Sequence, residues 1–243
     1  KKMADGSWQE ISSKQALDEI ADKVKQTIDS NGARSIATYC GTYSFQESAA
    51  LAVSRAFHEG IGSPSYYTSV SIDQPAKGIA LSRFGVWAGG PHSFEGADVA
   101  LIVGCNTLIS HYTPYGGIPP FSPRKALNKG LKDGIKMIVI DPRKTEVARK
   151  AHIHLQTRPG EDPTVLCGIV KVILDENLFD ADFCEQYVDG LEELREAVER
   201  FTPDYVELRA GVPSELVVEA ARVWGNGKRG TATAGTGPNM APR

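Results

Sequence analysis

Apolar and polar positions along the chain repeat with two periods. Five apolar residues run unbroken from Val99 to Val103 and stop at Gly104, the pattern of a strand buried on both faces that ends in a loop. The pattern returns about one strand–helix unit later, where Ile135-Lys-Met-Ile-Val-Ile ends at Asp141-Pro-Arg-Lys-Thr. Shorter strands are predicted at 36–40 and 66–70, an edge strand at His152-Ile-His-Leu-Gln from its period-two alternation, and a buried strand of small residues at Gly230-Thr-Ala-Thr-Ala. Spacings of three and four mark the helices. Ser12 or Ser13 caps one in which Ala16, Leu17, Ile20, Ala21, Val24 and Ile28 share a face, and Gly32 closes it. Others are predicted at about 45–60, from near Pro75, at 124–133, and around Thr145, Val147, Ala148 and Ala151. A long one has Asp162 as its cap and Pro163 at its first position, with Val165, Leu166, Ile169, Val170, Val172 and Ile173 on its buried face. Short acidic helices follow at about 180–189 and 190–201, and another opens near Pro213.

Strands alternating with helices predict an α/β fold: a doubly wound, mostly parallel sheet with helices on both faces, Rossmann-like. The expected organisation is a leading segment and helix over 1–33, an α/β cofactor-binding core over 34–178, a helical appendage over 179–229, and a return strand and turn over 230–243. At 243 residues and 41% apolar content the chain can build a large core. A net charge of -3, with Lys and Arg scattered, gives no basic face and argues against nucleic acid as a partner. No apolar run approaches the ~18 residues of a membrane span. Cys40, Cys105, Cys167 and Cys184 have no Cys-x-x-Cys spacing, so neither zinc nor iron–sulfur ligation is read from them. Cys167 and Cys184 fall in helical apolar patterns as core residues. The chain opens on Lys-Lys-Met and stops just after a glycine-rich turn, and it reads as a piece of a longer polypeptide.

Parallel strands deliver their following loops to one rim, where backbone N–H groups and helix starts converge on a ligand. Gly104-Cys-Asn-Thr and Asp141-Pro-Arg-Lys-Thr are two such loops. Asp141 can accept from a ribose or from the N1/N2 edge of guanine, or cap the next helix through Asp-Pro. Arg143 and Thr145 can reach phosphate, and Asn106 and Thr107 add neutral donors and acceptors. The loop after the 66–70 strand places Ser71, Asp73 and Gln74 at the mouth of the same rim, with helix capping as the other role open to Asp73. Gly41-Thr is either a close approach for a ligand or a tight connection. The Pro/Gly-rich stretch 112–123 is a lid or contact surface, or a plain surface excursion. His152 and His154 read as exposed strand positions. Neither Gly-x-G-x-x-Gly nor a P-loop is present.

Several motifs together carry a resemblance. Val-Gly-Cys-Asn-Thr at 103–107, Val-Ile-Asp-Pro-Arg-Lys-Thr-Glu at 139–146 and Arg-Pro-Gly-Glu-Asp at 158–162, in that order and spacing, resemble the molybdopterin oxidoreductases of the DMSO-reductase family. The opening Gly-Ser-Trp-Gln-Glu-Ile-Ser-Ser-Lys-Gln-Ala-Leu is similar to that family's Trp-x-x-Ile-Ser-Trp-Asp-Glu-Ala, with Ser13 where Trp is usual, and Gly235-Thr-Gly-Pro-Asn fits a cofactor-facing turn. The resemblance implies molybdenum or tungsten held by two molybdopterin guanine dinucleotides. It implies Gly104, Cys105, Asn106, Thr107, Asp141, Arg143, Thr145, Gly160 and Asp162 around one dinucleotide, and one protein ligand to the metal, Asp73 before Ser71. A 4Fe-4S segment preceding this chain, the remainder of the parent polypeptide and an electron-transfer subunit are the implied partners, and this piece alone would not turn over. A rival class is a stand-alone nucleotide-binding or interaction module with no redox chemistry. A thiamine-type middle domain shares the buried strands but has no need of the 71–73 loop.

Overall fold

The computed structural model describes residues 1–41, 47, 49–69, 75–84, 96–110 and 123–241. The chain forms two compact units, Lys1–Ile72 and Asp73–Arg243.

In the first unit, α1 (Ser13–Asn31) starts where the Ser12 side chain accepts from the Gln15 N–H and ends at Gly32. Its apolar stripe is only partly covered: Leu17 and Ile20 are exposed, while Ala16, Val24 and Ile28 are half-buried. Strand β1 (Thr38–Cys40), helix α2 (Ala50–Ile61) and strand β2 (Tyr66–Thr68) follow, and β1 pairs with β2 in parallel as a two-stranded sheet. Buried His58 ties α2 to β1 and to the turn before β2. The Ser63 carbonyl, 3.3 Å from its Nδ1, can only accept, so Nδ1 carries a proton, while Nε2 lies 2.7 Å from Thr38 Oγ1.

The second unit carries α3 (Pro75–Phe84), β3 (Val99–Val103), α4 (Thr107–Ser110), α5 (Pro123–Lys132), β4 (Lys136–Ile140), β5 (Ile153–Leu155), α6 (Asp162–Asp175), α7 (Ala181–Tyr187), α8 (Leu191–Val198), α9 (Pro203–Ala210), α10 (Ser214–Gly225), β6 (Gly230–Ala234) and α11 (Thr236–Met240). Its strands form one four-stranded, wholly parallel sheet in the order β5-β4-β3-β6. The unbroken apolar run of β3 is buried at every position, because the sheet is covered on both faces. Val99, Leu101, Val103, Ile138 and Ile140 pack under α6, α9 and α10, meeting Val165, Ile169, Val206 and Val217. Ala100, Ile102, Met137 and Val139 point the other way, toward Leu108, Leu127 and Val147. This is the doubly wound arrangement that the alternation of strands and helices predicts.

Several local expectations are corrected. Residues 203–225, expected within a helical appendage, supply Val206, Ala210, Val217, Ala220 and Ala221 to the core under the sheet. The stretch around Thr145–Ala151 is not an α-helix; it makes turns and one 3₁₀ turn at Ala148–Lys150. Strand β6 is an edge strand of partly or fully exposed residues, not a buried one, because only β3 pairs with it among the described residues. Helix α6 begins with Glu161 in the cap position and no side-chain cap bond, so Asp162 does not cap it. The four cysteines are free thiols; Cys105 is buried, while Cys167 and Cys184 are only partly so. Among the described residues no helix is long and apolar enough to cross a membrane.

Ile138, fully buried in the middle of β4, tests the two-faced core. Ile138→Ala is expected to destabilise the second unit by about 2–5 kcal/mol, read as a lower urea midpoint by circular dichroism; a shift below ~0.5 kcal/mol would place little packing energy there.

Candidate functional site

All strands of the second unit run the same way, so the segments after β3, β4, β5 and β6 emerge at one lip. Backbone bonds lace that lip together: Gly104 N–H donates to the Ile140 carbonyl (2.8 Å), Gly235 N–H to the Val103 carbonyl (2.8 Å), and Asp141 N–H to the Leu155 carbonyl (3.3 Å). Two glycines let the turns approach so closely. Gly104 has φ +55°, and a Cβ there would lie 2.7 Å from the Pro238 ring; a Cβ on Gly235 would overlap the Gly104 carbonyl oxygen.

Side chains at the lip divide into those that build it and those that stay available. Asp141 is buried, and its Oδ1 accepts from the Arg143 N–H at 2.8 Å, an Asx turn that folds the loop after β4. This disposes of helix capping as its role. Thr145 Oγ1 accepts from the Ala148 N–H at 3.2 Å and is buried, so it shapes the same loop. Arg143 extends into solvent. Thr107 is fully buried, and its Oγ1 has no hydrogen-bond partner among the described residues. A buried hydroxyl left without a partner costs ~1–3 kcal/mol, which a ligand group at the lip would relieve. Asn106 Nδ2 donates to Glu146 Oε2 at 2.7 Å, joining the loops that follow β3 and β4. Cys105 is buried in the cluster with Leu108 and Leu127 beneath the turn.

The Arg158–Asp162 turn splits into anchors and a presented acid. Arg158 Nη1 donates to the Leu208 and Arg209 carbonyls at the end of α9. Glu161 takes two bonds from Arg209, Nη2 to Oε1 at 3.0 Å and Nε to Oε2 at 3.1 Å. Gly160, at φ +86°, makes the bend between them. Asp162 is buried behind it, and its pKa is raised first by that burial and further by the negative charge of Asp141. Two carboxylates from separate loops thus lie near enough for the charge of one to act on the other.

Ser71 and Asp73, together with Gln74 and 112–122 of the Pro/Gly-rich stretch, lie outside the described residues. Among the described residues no group of three or more His, Cys, Asp or Glu side chains gathers as a metal site. Sequence reasoning missed two contributors. Glu146 stood in a quoted motif without a role, and His154, read as an exposed strand position, is half-buried with Nε2 2.9 Å from the Asp141 carbonyl. A carbonyl only accepts, so Nε2 bears the proton. A histidine one residue before the end of an edge strand, beside a strand ending in Asp, was the available signal. A groove of about 1000 Å³ lies at the opposite end of the sheet, lined by Asp98, Lys136, Glu215, Glu219 and Arg222. It sits where strands begin and shares none of the lip residues.

Comparison with known proteins decides the family. Residues 1–233 match the family model described as molybdopterin oxidoreductase. The chain belongs to the molybdopterin oxidoreductase family. Molybdopterin oxidoreductases similar to it include the thiosulfate reductase molybdopterin-containing subunit PhsA of Salmonella typhimurium, 32% identical over 90% of this chain and 27% of that protein. The F420-dependent formate dehydrogenase subunit alpha of Methanocaldococcus jannaschii is 37% identical over 56% of this chain and 19% of that subunit. The solved structure of acetylene hydratase from Pelobacter acetylenicus superposes with a TM-score of 0.78 at 28% identity, covering 96% of this chain and 30% of that one. The resemblance read from the motifs is borne out. The chain spans less than a third of the length of these relatives.

The raised pKa of Asp162 has a stability consequence. A carboxyl raised above its ordinary 3.8 binds its proton more readily folded than unfolded, so its stabilising contribution is present below that value and is lost as pH rises through the folded one. Asp162→Asn in the protein free of ligand is expected to be more stable than the parent at neutral pH, with the difference vanishing in acid. Urea unfolding across that range checks it, and equal stability at neutral pH would contradict the burial cost.

Proposed function

We propose that the lip of the Asp73–Arg243 unit holds the guanine nucleotide arm of a molybdopterin guanine dinucleotide, and that the parent enzyme uses its molybdenum or tungsten for a two-electron or oxygen-atom transfer. The observation that carries this reading is the proximity of Asp141 and Asp162, near enough for the charge of one to raise the other's pKa, together with the buried hydroxyl of Thr107, which has no partner among the described residues. Two neighbouring carboxylates suit a ligand edge made of N–H donors, and guanine presents such an edge with its ring N–H and 2-amino group. Exposed Arg143 on the same loop supplies the charge and fork geometry for a pyrophosphate. Gly104 and Gly160 let backbone approach the ligand, while Cys105 and Thr145 contribute by shaping the turns that carry its neighbours.

In this reading the chain's own residues bind and orient. The Asx turn at Asp141 and the His154 bond to its carbonyl hold one carboxylate still, and the Arg158 and Glu161 anchors hold the other. When bound, the pterin and its metal supply the redox chemistry. One protein oxygen, from Asp73 or Ser71, is the proposed ligand to that metal. The rest of the parent polypeptide would complete the cofactor site, with a 4Fe-4S segment before this chain and an electron-transfer subunit beyond it. Relatives are named for formate dehydrogenation, thiosulfate reduction and acetylene hydration, so this reading assigns the parent enzyme no particular substrate.

Asp141→Asn in the parent enzyme is expected to lower retained guanine nucleotide about tenfold, the effect of losing one charged hydrogen-bond acceptor. Acid release and chromatography of the nucleotide measure it; full retention would remove Asp141 from the site. Asp73→Ala is expected to abolish turnover with the guanine nucleotide content unchanged, and normal turnover would remove Asp73 from the metal.

A further inference from the structure

We infer that the outer face of α5, together with the 3₁₀ turn at Ala148–Lys150, is a docking surface for the carboxylate-rich face of another protein. Lys and Arg are scattered along the sequence, yet the fold gathers several of them here. Arg124, Lys125, Lys129 and Lys132 are exposed on the ten-residue α5, which carries no acid. The 3₁₀ turn, through Ala148 and the preceding Val147, packs on the same core cluster as Leu127 of α5. It adds exposed Arg149 and Lys150. Lys150 Nζ donates to Asn128 Oδ1 at 3.2 Å, which sets the two segments side by side.

Little on this face neutralises that charge. Asp133 pairs with Lys129 at 2.9 Å, and Glu146 lies 3.7 Å from Arg149 while also accepting from Asn106. Arg124, Lys125, Lys132 and Lys150 make no ion pair among the described residues. By contrast α1 sets exposed cations against acids one turn away, Lys14 with Asp18 and Lys25 with Asp29. Two of the α5 cations also work against their own helix. Arg124 and Lys125 stand in its first turn, where the positive end of the helix dipole disfavours cations, so helix stability does not account for them. From Arg124 to Lys132 the row is about 12 Å long, a length suited to a cluster of carboxylates on a compact partner. Nucleic acid and anionic bilayers fit less well. The chain's net charge of -3 repels a polyanion that extends past the patch, and every exposed residue of α5 from Arg124 onward is a cation, with no apolar or aromatic group to enter a bilayer or stack on a base. Contacts of this kind steer encounter and weaken with salt, giving a complex that exchanges.

The test uses the parent enzyme with poly-L-glutamate as the probe, followed by fluorescence anisotropy. Binding is expected at low ionic strength and is expected to fall about tenfold at high salt. Lys125→Glu, Lys132→Glu and Lys150→Glu combined are expected to weaken low-salt binding by about tenfold or more. The same number of reversals on α1, at Lys14, Lys23 and Lys25, is expected to leave it within about twofold, because they change the net charge equally but not the patch. Lys125→Glu alone is expected to weaken binding without lowering the thermal midpoint, since a carboxylate suits the first turn of a helix. Full binding by the patch variant, an equal loss in the α1 control, no binding by the unaltered enzyme at low salt, or tighter binding of duplex DNA or phosphatidylglycerol vesicles than of poly-L-glutamate would overturn the inference. A lowered midpoint in Lys125→Glu would do the same by assigning that cation to the fold. None of these outcomes bears on the nucleotide reading of the lip.

Discussion

Parallel pairing of β3 with β4 and β6 is the constraint on which the lip depends. Strands that run the same way must send every following loop to the same edge, and the helices that return the chain must cover both faces. Val99–Val103 can be apolar throughout only because both of its faces are covered. Its exit at Gly104 is then trapped between the exits of its neighbours, bonded to Ile140 on one side and passing its Val103 carbonyl to Gly235 on the other. Fold and site are therefore one arrangement: a register slip of a single residue would exchange residues between the two covered faces and carry Asn106 away from Glu146.

The lip combines tight backbone packing with polar groups that are costly to bury. Gly104 and Gly235 leave no room for side chains between the turns, while Asp141, Asp162 and Thr107 are buried there with few partners. In a structural core such groups would be liabilities. At the carboxyl edge of a parallel sheet they are what a ligand with complementary donors needs.

The motifs also turn out to be divided in labour. In the 158–162 turn, Arg158 and Glu161 tie the loop to the end of α9, and Gly160 makes the bend that leaves Asp162 turned inward. In the 141–146 loop, the Asp141 carboxylate folds the turn, Thr145 accepts from the Ala148 N–H, and Glu146 reaches across to the neighbouring loop. Conventional reading of such a stretch credits every polar residue with ligand contact. Here about half of them hold the others in place.

The sequence alone determined the architecture and where the lip would form, because burial on both faces and the end of each apolar run are written in consecutive residues: Val99–Val103 stopping at Gly104, and Met137–Ile140 stopping at Asp141. It also determined the family, through motifs whose order survives without knowledge of their contacts. Only the tertiary structure decided how the residues share the work. Whether Asp162 caps α6 or is buried near Asp141, and whether Val206 and Val217 belong to an appendage or to the core, depend on residues distant in the sequence. Neither did periodicity reveal the partnership of Asn106 with Glu146 or of His154 with the Asp141 carbonyl, since local pattern reports which way a side chain faces and not what stands opposite it. That is settled by strand order and register, which arise from the packing of the whole sheet.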